Sequence, residues 1–166
     1  MGFKELYESL FKEDQAIANQ REIAKHMAKV LLWELKGIKA LHPMVREKAI
    51  LLINKCSSED LKISITETFR SASIQQNYYD QGRKSPGSII TNAQPLESYH
   101  QYGLAFDIRF EGPNPYPSNM DIWKKVGNIG ESVGLIWGGR FNDNPHFELH
   151  QGFTWKDIKD YFKRYG

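Results

Sequence analysis

The chain carries at residues 98–107 the sequence SYHQYGLAFD, and the order of residues in this stretch organises the fold that we predict. His100 stands three residues before Gly103, a residue type that permits a tight backbone bend. Asp107 follows His100 by seven residues and falls inside the run Ala105–Phe110, whose composition predicts a β-strand. Because aspartate is disfavoured within strands, its presence here indicates a role beyond secondary structure.

Patterns on both sides of this stretch predict helices and further short strands. Pro43 is a favoured first residue of a helix, and Leu61, Ile63 and Ile65 alternate with polar residues as in a strand. The other predicted elements are a helix over 71–81, a helix from 119 to about 133, strands at 135–137 and 146–149, and a last helix capped by Thr154. Helices mixed with short strands in this order predict an α+β fold with a small antiparallel sheet flanked by helices.

The first 38 residues predict an N-terminal helical extension. Residues 1–38 contain six basic and six acidic side chains, so the net charge of +2 falls in residues 39–166, which we predict to be the main domain. Asp14 is the predicted N-cap of the second helix. That helix has an apolar face that either packs on the main domain, the commoner arrangement, or docks a partner. The face consists of Ala24, Met27, Leu31, Leu35 and Ile38.

The composition excludes several classes of protein. A single cysteine, Cys56, allows neither an internal disulfide nor a cysteine-rich zinc site, and its helical context predicts a buried core residue. A net charge of +2 is too small to indicate a nucleic-acid partner. The longest apolar runs, 30–33 and 49–53, fall far short of the ~20 residues that span a bilayer, so no membrane insertion is expected. No signal-peptide pattern begins the sequence, which predicts synthesis in the cytoplasm without a signal peptide.

Any transition-metal site in this chain must therefore use histidines and carboxylates. We predict that His100, Asp107 and His146 bind one Zn²⁺, since both side-chain types bind zinc at about 2.0–2.2 Å. Pro145 restricts the backbone directly before His146, and the apolar alternation that follows predicts the start of a strand. Three protein ligands leave the fourth tetrahedral position open for water, which is the arrangement of a catalytic zinc site.

Two further residues fit roles in a hydrolytic reaction at such a site. Asp143, three residues before His146, is the candidate general base that accepts a proton from the attacking water. Arg70, at the end of the first predicted strand, is the candidate that stabilises the oxyanion of the reaction. Aromatic residues that either line a substrate groove or lie buried in the core are Tyr78, Tyr99, Tyr102 and Trp137.

Each of these assignments has an ordinary structural alternative. His100 alone fits a structural or surface histidine, and Arg70 alone fits a surface ion-pair partner. Asp143, in a polar turn, fits a turn residue. Glu148 and His150 are interpreted as structural residues or as residues that orient the ligands, because three ligands already complete a catalytic zinc site. Spacing alone therefore leaves both the metal site and the structural alternative open.

A series of segments along the chain resembles one family of peptidases. The segments are Leu41-His42-Pro43, Ile65 to Ser71, Gln75 or Gln76, Gln81-Gly82-Arg83, Pro86-Gly87, Thr91-Asn92-Ala93, Ser98 to Asp107, Trp137-Gly138-Gly139 and Asp143 to Leu149. Together they are similar to the L-alanyl-D-glutamate endopeptidases of phage endolysins and bacterial cell-wall hydrolases. Those enzymes belong with the zinc D-Ala-D-Ala carboxypeptidases and the hedgehog-like fold. The similarity covers about residues 41 to 150 and leaves residues 1–38 unmatched.

The resemblance implies a zinc metallopeptidase that hydrolyses the peptidoglycan stem peptide, most specifically its L-Ala–D-Glu bond. It assigns zinc binding to His100, Asp107 and His146, the general base to Asp143, and contact with the substrate carbonyl to Arg70. It makes residues 39–166 the zinc peptidase catalytic domain. The residues predicted to bind substrate or to support the ligands are Ser98, Tyr99 and Trp137.

Other interpretations stay open at this point. The same site would serve a D,D-carboxypeptidase or D,D-dipeptidase, and a non-catalytic, zinc-stabilised binding module is the third possibility. Asp143 and Arg70 argue against a binding module, which needs neither residue. Relatives often carry an acidic residue where this chain has Arg140, which affects the charge at the substrate rim. We further expect a bacteriolytic monomer that reaches the cell wall or periplasm by phage-type release, with residues 1–38 available to a docking partner.

Overall fold

The computed structural model describes residues 15–26 and 37–165, which form an α+β arrangement of helices and one antiparallel sheet. Helix α1 covers residues 15–26, and the later helices are α2 Pro43–Ser58, α3 Ala72–Asp80, α4 Met120–Ser132 and α5 Trp155–Tyr165. Single 3₁₀ turns occupy Gly37–Ala40, Tyr99–Tyr102 and Gly138–Phe141. The strands are β1 Ile63–Glu67, β2 Ala105–Phe110, β3 Ile136–Trp137 and β4 His146–Glu148. The predicted fold class is confirmed, and none of the helices within the described ranges could cross a membrane.

Capping side chains set the beginnings of three helices. The hydroxyl of Ser71 accepts a hydrogen bond of 3.2 Å from the backbone N–H of Ile74 at the start of α3. Asn119 caps α4 through its side-chain oxygen, as predicted. At the start of α5 the backbone N–H of Thr154 donates to the carboxylate of Asp157 at 2.7 Å. These bonds satisfy N–H groups that have no partner inside the helix.

The sheet has the strand order β1-β2-β4-β3, and every neighbouring pair is antiparallel. Side chains alternate between its two faces, so Phe106, Ile108 and Phe110 of β2 lie on one face and Asp107 on the other. The apolar face packs against the helices, as the edge-to-face contact of Phe110 with Trp123 of α4 shows. The opposite face, which carries Asp107, is therefore left to build a site.

Helix α2 supplies one wall of the core. Val45, Ala49, Leu52 and Cys56 share its inner face and are fully buried, as the sequence predicts. Burial raises the pKa of the Cys56 thiol to about 11, which keeps it protonated and unreactive at neutral pH. Cys56 is thus a core residue and not a nucleophile.

Helix α1 packs against the main body of the molecule. Ile23 is 2% exposed and belongs to the hydrophobic core, and the Nε2–H of His26 donates to the carbonyl of Ala40 at 2.8 Å. The predicted inner face began at Ala24, which is only half-buried, because the helix turns Ile23 inward instead. Met27, Leu31 and Leu35 lie outside the described residues, and the division into residues 1–38 and 39–166 stays a prediction.

Candidate metal centre

The strand register aligns three ionisable residues on the open face of the sheet. Asp107 of β2 pairs with Glu67 of β1 on one side and with His146 of β4 on the other. Residues directly opposite in an antiparallel pair point to the same face of the sheet. Glu67, Asp107 and His146 therefore form a row across three strands, although 79 positions separate the first from the last.

His100 reaches the same place from the 3₁₀ turn that precedes β2. The turn ends at Gly103, whose φ of 66° lies in the left-handed region that favours glycine. A Cβ atom there would lie 2.7 Å from the carbonyl oxygen of Ala40, so the close packing also requires glycine. The bend folds His100 back over β2, and its imidazole is 2% exposed. The sequence predicted the bend at Gly103 but not the 3₁₀ turn.

The three predicted ligands meet at three atoms. His100 Nε2, Asp107 Oδ1 and His146 Nδ1 form a triangle with edges of 3.2, 3.2 and 3.3 Å. Zinc bonds of about 2.0–2.1 Å at tetrahedral angles place neighbouring ligand atoms about 3.3–3.4 Å apart. The triangle therefore has the size that a tetrahedral zinc ion requires.

The hydrogen bonds behind the two imidazoles determine which nitrogens carry protons. Nδ1 of His100 lies 2.8 Å from the carbonyl oxygen of Thr68, which can only accept, so this nitrogen bears the proton. Nε2 of His146 lies 2.9 Å from Oε2 of Glu148 and donates to that carboxylate. When both rings are neutral, Nε2 of His100 and Nδ1 of His146 therefore carry no proton. Each presents a lone pair beside the Asp107 oxygen. Three converging lone pairs need a cation between them, and the donor set fits Zn²⁺.

The contacts of this position favour a proton there as well as a metal ion. Burial lowers the pKa of His146, but hydrogen bonds to Asp107 and Glu148 outweigh it and raise the value to about 9. Burial also opposes ionisation of Asp107, yet its two histidine partners hold the pKa of the carboxyl well below its usual range. Metal and proton therefore compete for the same site.

Asp143 lies at the rim of the cleft above these ligands. It precedes β4 in a turn whose geometry depends on Gly138, because the N–H of Asp143 donates to the Gly138 carbonyl at 2.9 Å. A Cβ at Gly138 would collide with the Asp143 carbonyl oxygen and approach the Cβ of His146 to 2.7 Å. Burial within the cleft raises the pKa of Asp143, and His146 opposes this effect. Asp143 lines the cleft but is not one of the three atoms of the triangle.

Arg70 lies close to Asp107 and is held from three directions. Its guanidinium makes a two-pronged ion pair with Glu67, with Nε 2.9 Å from Oε1 and Nη2 against Oε2. Nη1 donates to Oε1 of Gln75 at 2.9 Å, and the group lies 4.7 Å from the centre of the Tyr78 ring. Nη2 is 3.8 Å from Oδ2 of Asp107. Three of its five N–H groups are used, which leaves two to face a substrate.

The remaining predicted residues occupy different positions. Ser98 and Tyr99 line the cleft. Trp137 does not, because it is 3% exposed and packs in the core against α4. Its Nε1–H donates to the carbonyl of Asn144 at 2.9 Å, so it supports the turn that presents Asp143. Of the two roles predicted for Trp137, the structure favours support over substrate contact.

Nothing in the sequence indicated the role of the residues that hold Arg70. Glu67 precedes it by three positions, a spacing that usually indicates a surface ion pair, and only the strand register reveals its place beside Asp107. Gln75 is fully buried and links Arg70 to the carbonyl of Ala93 through a 2.7 Å bond. Arg140, expected to change the charge of the rim, instead pairs with Glu131 on the surface at 2.6 and 2.8 Å.

Comparison with known proteins agrees with this geometry. Residues 91–149 match the family model described as D-alanyl-D-alanine carboxypeptidase. The chain is 37% identical over 122 residues to the peptidoglycan L-alanyl-D-glutamate endopeptidase CwlK of Bacillus subtilis, covering 66% of this chain and 73% of that protein. Among solved structures, the L-Ala D-Glu endopeptidase ChiX of Serratia marcescens has a TM-score of 0.51 at 19% identity, over 68% of this chain and 83% of its own. The L,D-carboxypeptidase DacB of Streptococcus pneumoniae has a TM-score of 0.52 at 18% identity, over 75% and 72% respectively.

Fold and site together define a zinc metallopeptidase. The chain belongs to the family of the peptidoglycan L-alanyl-D-glutamate endopeptidase of Bacillus subtilis. The predictions of family, of enzyme class and of a zinc cofactor are confirmed. ChiX and DacB are both below 25% identical to this chain, so they support its fold and not its activity.

Proposed function

We propose that this protein is a zinc-dependent peptidoglycan hydrolase that cuts the stem peptide at the L-Ala–D-Glu bond. One observation carries the proposal. His100, Asp107 and His146 present a triangle of lone pairs of zinc dimensions at the floor of a cleft that Asp143 and Arg70 also line. The named bond rests on the similarity to an endopeptidase across 73% of that enzyme's length.

The proposed zinc site supplies the electrophile of the reaction. Zinc, when held by His100, Asp107 and His146, lowers the pKa of a water molecule to about 7 and polarises a carbonyl group. Thr68 and Glu148 orient the two imidazoles through the bonds described above. The rigid strands β2 and β4 keep Asp107 and His146 in register, so that the ligands are preorganised.

Asp143 would transfer the protons of the reaction, and Arg70 would stabilise the negative charge on the carbonyl oxygen. Asp143 accepts the proton of the attacking water and then delivers it to the departing amine, which completes hydrolysis of the amide. The free N–H groups of Arg70 donate to the carbonyl oxygen as negative charge develops on it. The ion pair with Glu67 fixes the guanidinium in advance of substrate binding.

A D,D-carboxypeptidase or dipeptidase acting at the same site is the alternative within enzymes. Such an enzyme removes residues from the carboxyl end of the stem peptide. The endopeptidase is preferred because the relative that is 37% identical over 122 residues is an L-alanyl-D-glutamate endopeptidase.

Digestion of purified peptidoglycan with the full-length protein, followed by mass spectrometry of the fragments, tests the assignment. An L-Ala–D-Glu endopeptidase generates fragments with a new N-terminal D-Glu. Release of free D-Ala or of D-Ala-D-Ala would instead identify the carboxypeptidase or dipeptidase. An intact wall after digestion with zinc-loaded protein would favour the binding module.

The metal assignment has a separate test. We expect His146→Ala to lose both bound zinc, measured by elemental analysis, and hydrolysis of the wall. Glu131→Gln changes a partly exposed carboxylate that pairs with Arg140 and is not one of the proposed ligands, so it serves as the control and retains both. Full zinc content together with full hydrolysis in His146→Ala would refute the ligand assignment. The monomeric state, a docking role for residues 1–38 and phage-type release remain predictions.

A further inference from the structure

We propose that Glu148 and His150 act as a pair to position His146, Glu148 by direct contact and His150 through Glu148. The inference rests on the proposed role of His146 as a zinc ligand. It assigns a function to two residues that the reaction itself does not use. Both are positioning residues, because neither contributes an atom to the triangle.

Glu148 determines how the His146 ring is presented. The two residues are separated by one position on β4 and therefore point to the same face of the sheet. Oε2 of Glu148 accepts from Nε2–H of His146 at 2.9 Å, and this bond turns Nδ1 toward Asp107 and His100. Without an acceptor behind the ring, the proton could move to Nδ1 and block the nitrogen that faces the triangle.

Glu148 itself requires a second partner. Its side chain is 11% exposed, and a carboxylate removed from water is costly unless charged or polar groups surround it. Oε2 is used by His146, and Oε1 lies 3.6 Å from Nε2 of His150. His150 is thus the group that faces the second oxygen and limits rotation of the carboxylate about its last bond.

The His150 ring is held in place by an aromatic neighbour. It stacks on Tyr99 with a centroid distance of 4.7 Å and an interplanar angle of 8°. The Tyr99 hydroxyl in turn donates to the carbonyl of Phe153 at 3.0 Å. Nδ1 of His150 is buried and has no hydrogen-bond partner, so stacking and the contact with Glu148 determine the ring orientation.

Zinc affinity of the full-length protein, measured by competition with a chromophoric chelator, tests the pair. Loss of an orienting partner of a metal-bound histidine typically costs about 10–100-fold in affinity, and we expect this of Glu148→Leu. Glu148→Gln keeps an acceptor for His146 and should lose less than about tenfold. His150→Phe keeps the stack on Tyr99 but removes the contact with Glu148, and its affinity should fall by less than that of Glu148→Leu. Glu131→Gln is the matched control and should bind zinc as the unaltered protein does.

The double variant Glu148→Leu/His150→Phe separates positioning from general destabilisation. If His150 acts through Glu148, the double variant binds zinc no more weakly than Glu148→Leu alone. Additive losses would overturn the linkage, and unaltered affinity in Glu148→Leu would overturn the whole inference. Circular dichroism of the metal-free variants establishes that each is folded. Should Glu148→Leu fail to fold, Glu148→Gln with its own double variant supplies the same comparison.

This test does not depend on the identity of the scissile bond. Failure of the peptidoglycan digest would leave the zinc affinities interpretable. Failure of the unaltered protein to bind zinc would instead refute the proposed metal centre.

Discussion

Glu67 and Asp107 lie directly opposite each other across β1 and β2, and the guanidinium of Arg70 contacts Glu67 and approaches Asp107. Like charges in opposed positions of a sheet destabilise it, so Arg70 compensates a repulsion that the site itself creates. The arginine is therefore part of the electrostatic structure of the site as well as a candidate contact for substrate.

Substitution of Arg70 should reduce turnover more than it reduces zinc binding. We expect Arg70→Ala to lower kcat by about 10²–10³-fold, the usual loss when one donor to an oxyanion is removed. Arg70→Lys keeps the charge but loses the planar fork that engages Glu67 and Gln75, and should recover little. Steady-state kinetics on a stem-peptide substrate measures both, with Arg140→Lys as the surface control. Full activity in Arg70→Ala would exclude a role at the carbonyl.

Asp143→Asn should separate zinc binding from catalysis. The carboxyl lines the cleft outside the triangle of ligand atoms, so zinc content should be retained. Loss of a general base lowers rates by about 10²–10⁴-fold, which sets the expected fall in kcat. Asp121→Asn, an exposed carboxyl at the start of α4, is the control. Unchanged turnover in Asp143→Asn would place the base elsewhere.

The metal-free protein should lose stability as the pH rises. The pKa of His146 is raised to about 9 in the folded chain from about 6.5 in the unfolded one. Its contribution to stability is therefore complete below pH 6.5 and disappears as the pH passes through 9. Thermal unfolding in the presence of a chelator should show Tm falling across this interval. A flat Tm would contradict the contacts described for His146, whereas His146→Ala should itself give the flatter curve.

Zinc affinity should change in the opposite direction over the same interval. Because zinc displaces the proton from His146, affinity should rise by about tenfold per pH unit below pH 9. Competition titrations at several pH values measure this slope. A slope of zero would mean that zinc does not replace the proton at His146.

A methyl group at Gly138 should disturb the site through the backbone. Its Cβ would collide with the Asp143 carbonyl and press on His146, so Gly138→Ala should cost about 1–3 kcal/mol of unfolding free energy and weaken zinc binding. Gly134→Ala, just after α4, is the control, because its φ of +93° strains any side chain while nothing lies within 4 Å of the added Cβ. We expect the control variant to lose a similar amount of unfolding free energy but to bind zinc as tightly as the unaltered protein. Equal loss of affinity in both variants would show that Gly138 has no specific effect on the site.

Much of the fold could be predicted because its signals are local. Pro43, Ser71 and Asn119 begin helices where their residue types predict, and the strand pattern of Ala105–Phe110 matches β2. The strand order β1-β2-β4-β3 could not be predicted, because it depends on contacts between segments distant in sequence. In the described part of α1 the buried apolar residue is Ile23, whereas the predicted face began at the half-buried Ala24.

The candidate site shows the same division between local and distant information. His100, Asp107 and His146 were identified from residue type and family resemblance, and the structure brings their ligand atoms together. Glu67 was missed because its role arises from register with Asp107 across two strands. Trp137 was predicted either to contact substrate or to support the site, and its burial in the core favours support.

The bond between His26 and the Ala40 carbonyl has a practical consequence for shortening the chain. The same carbonyl lies against Gly103, and the N–H of His42 donates to the Gly103 carbonyl at 2.9 Å. The helix before residue 27 is thereby connected, through two backbone segments, to the bend that carries His100. A fragment that begins at residue 39 would leave a hole in the core where Ile23 lies and would loosen that bend. A minimal catalyst should therefore retain helix α1.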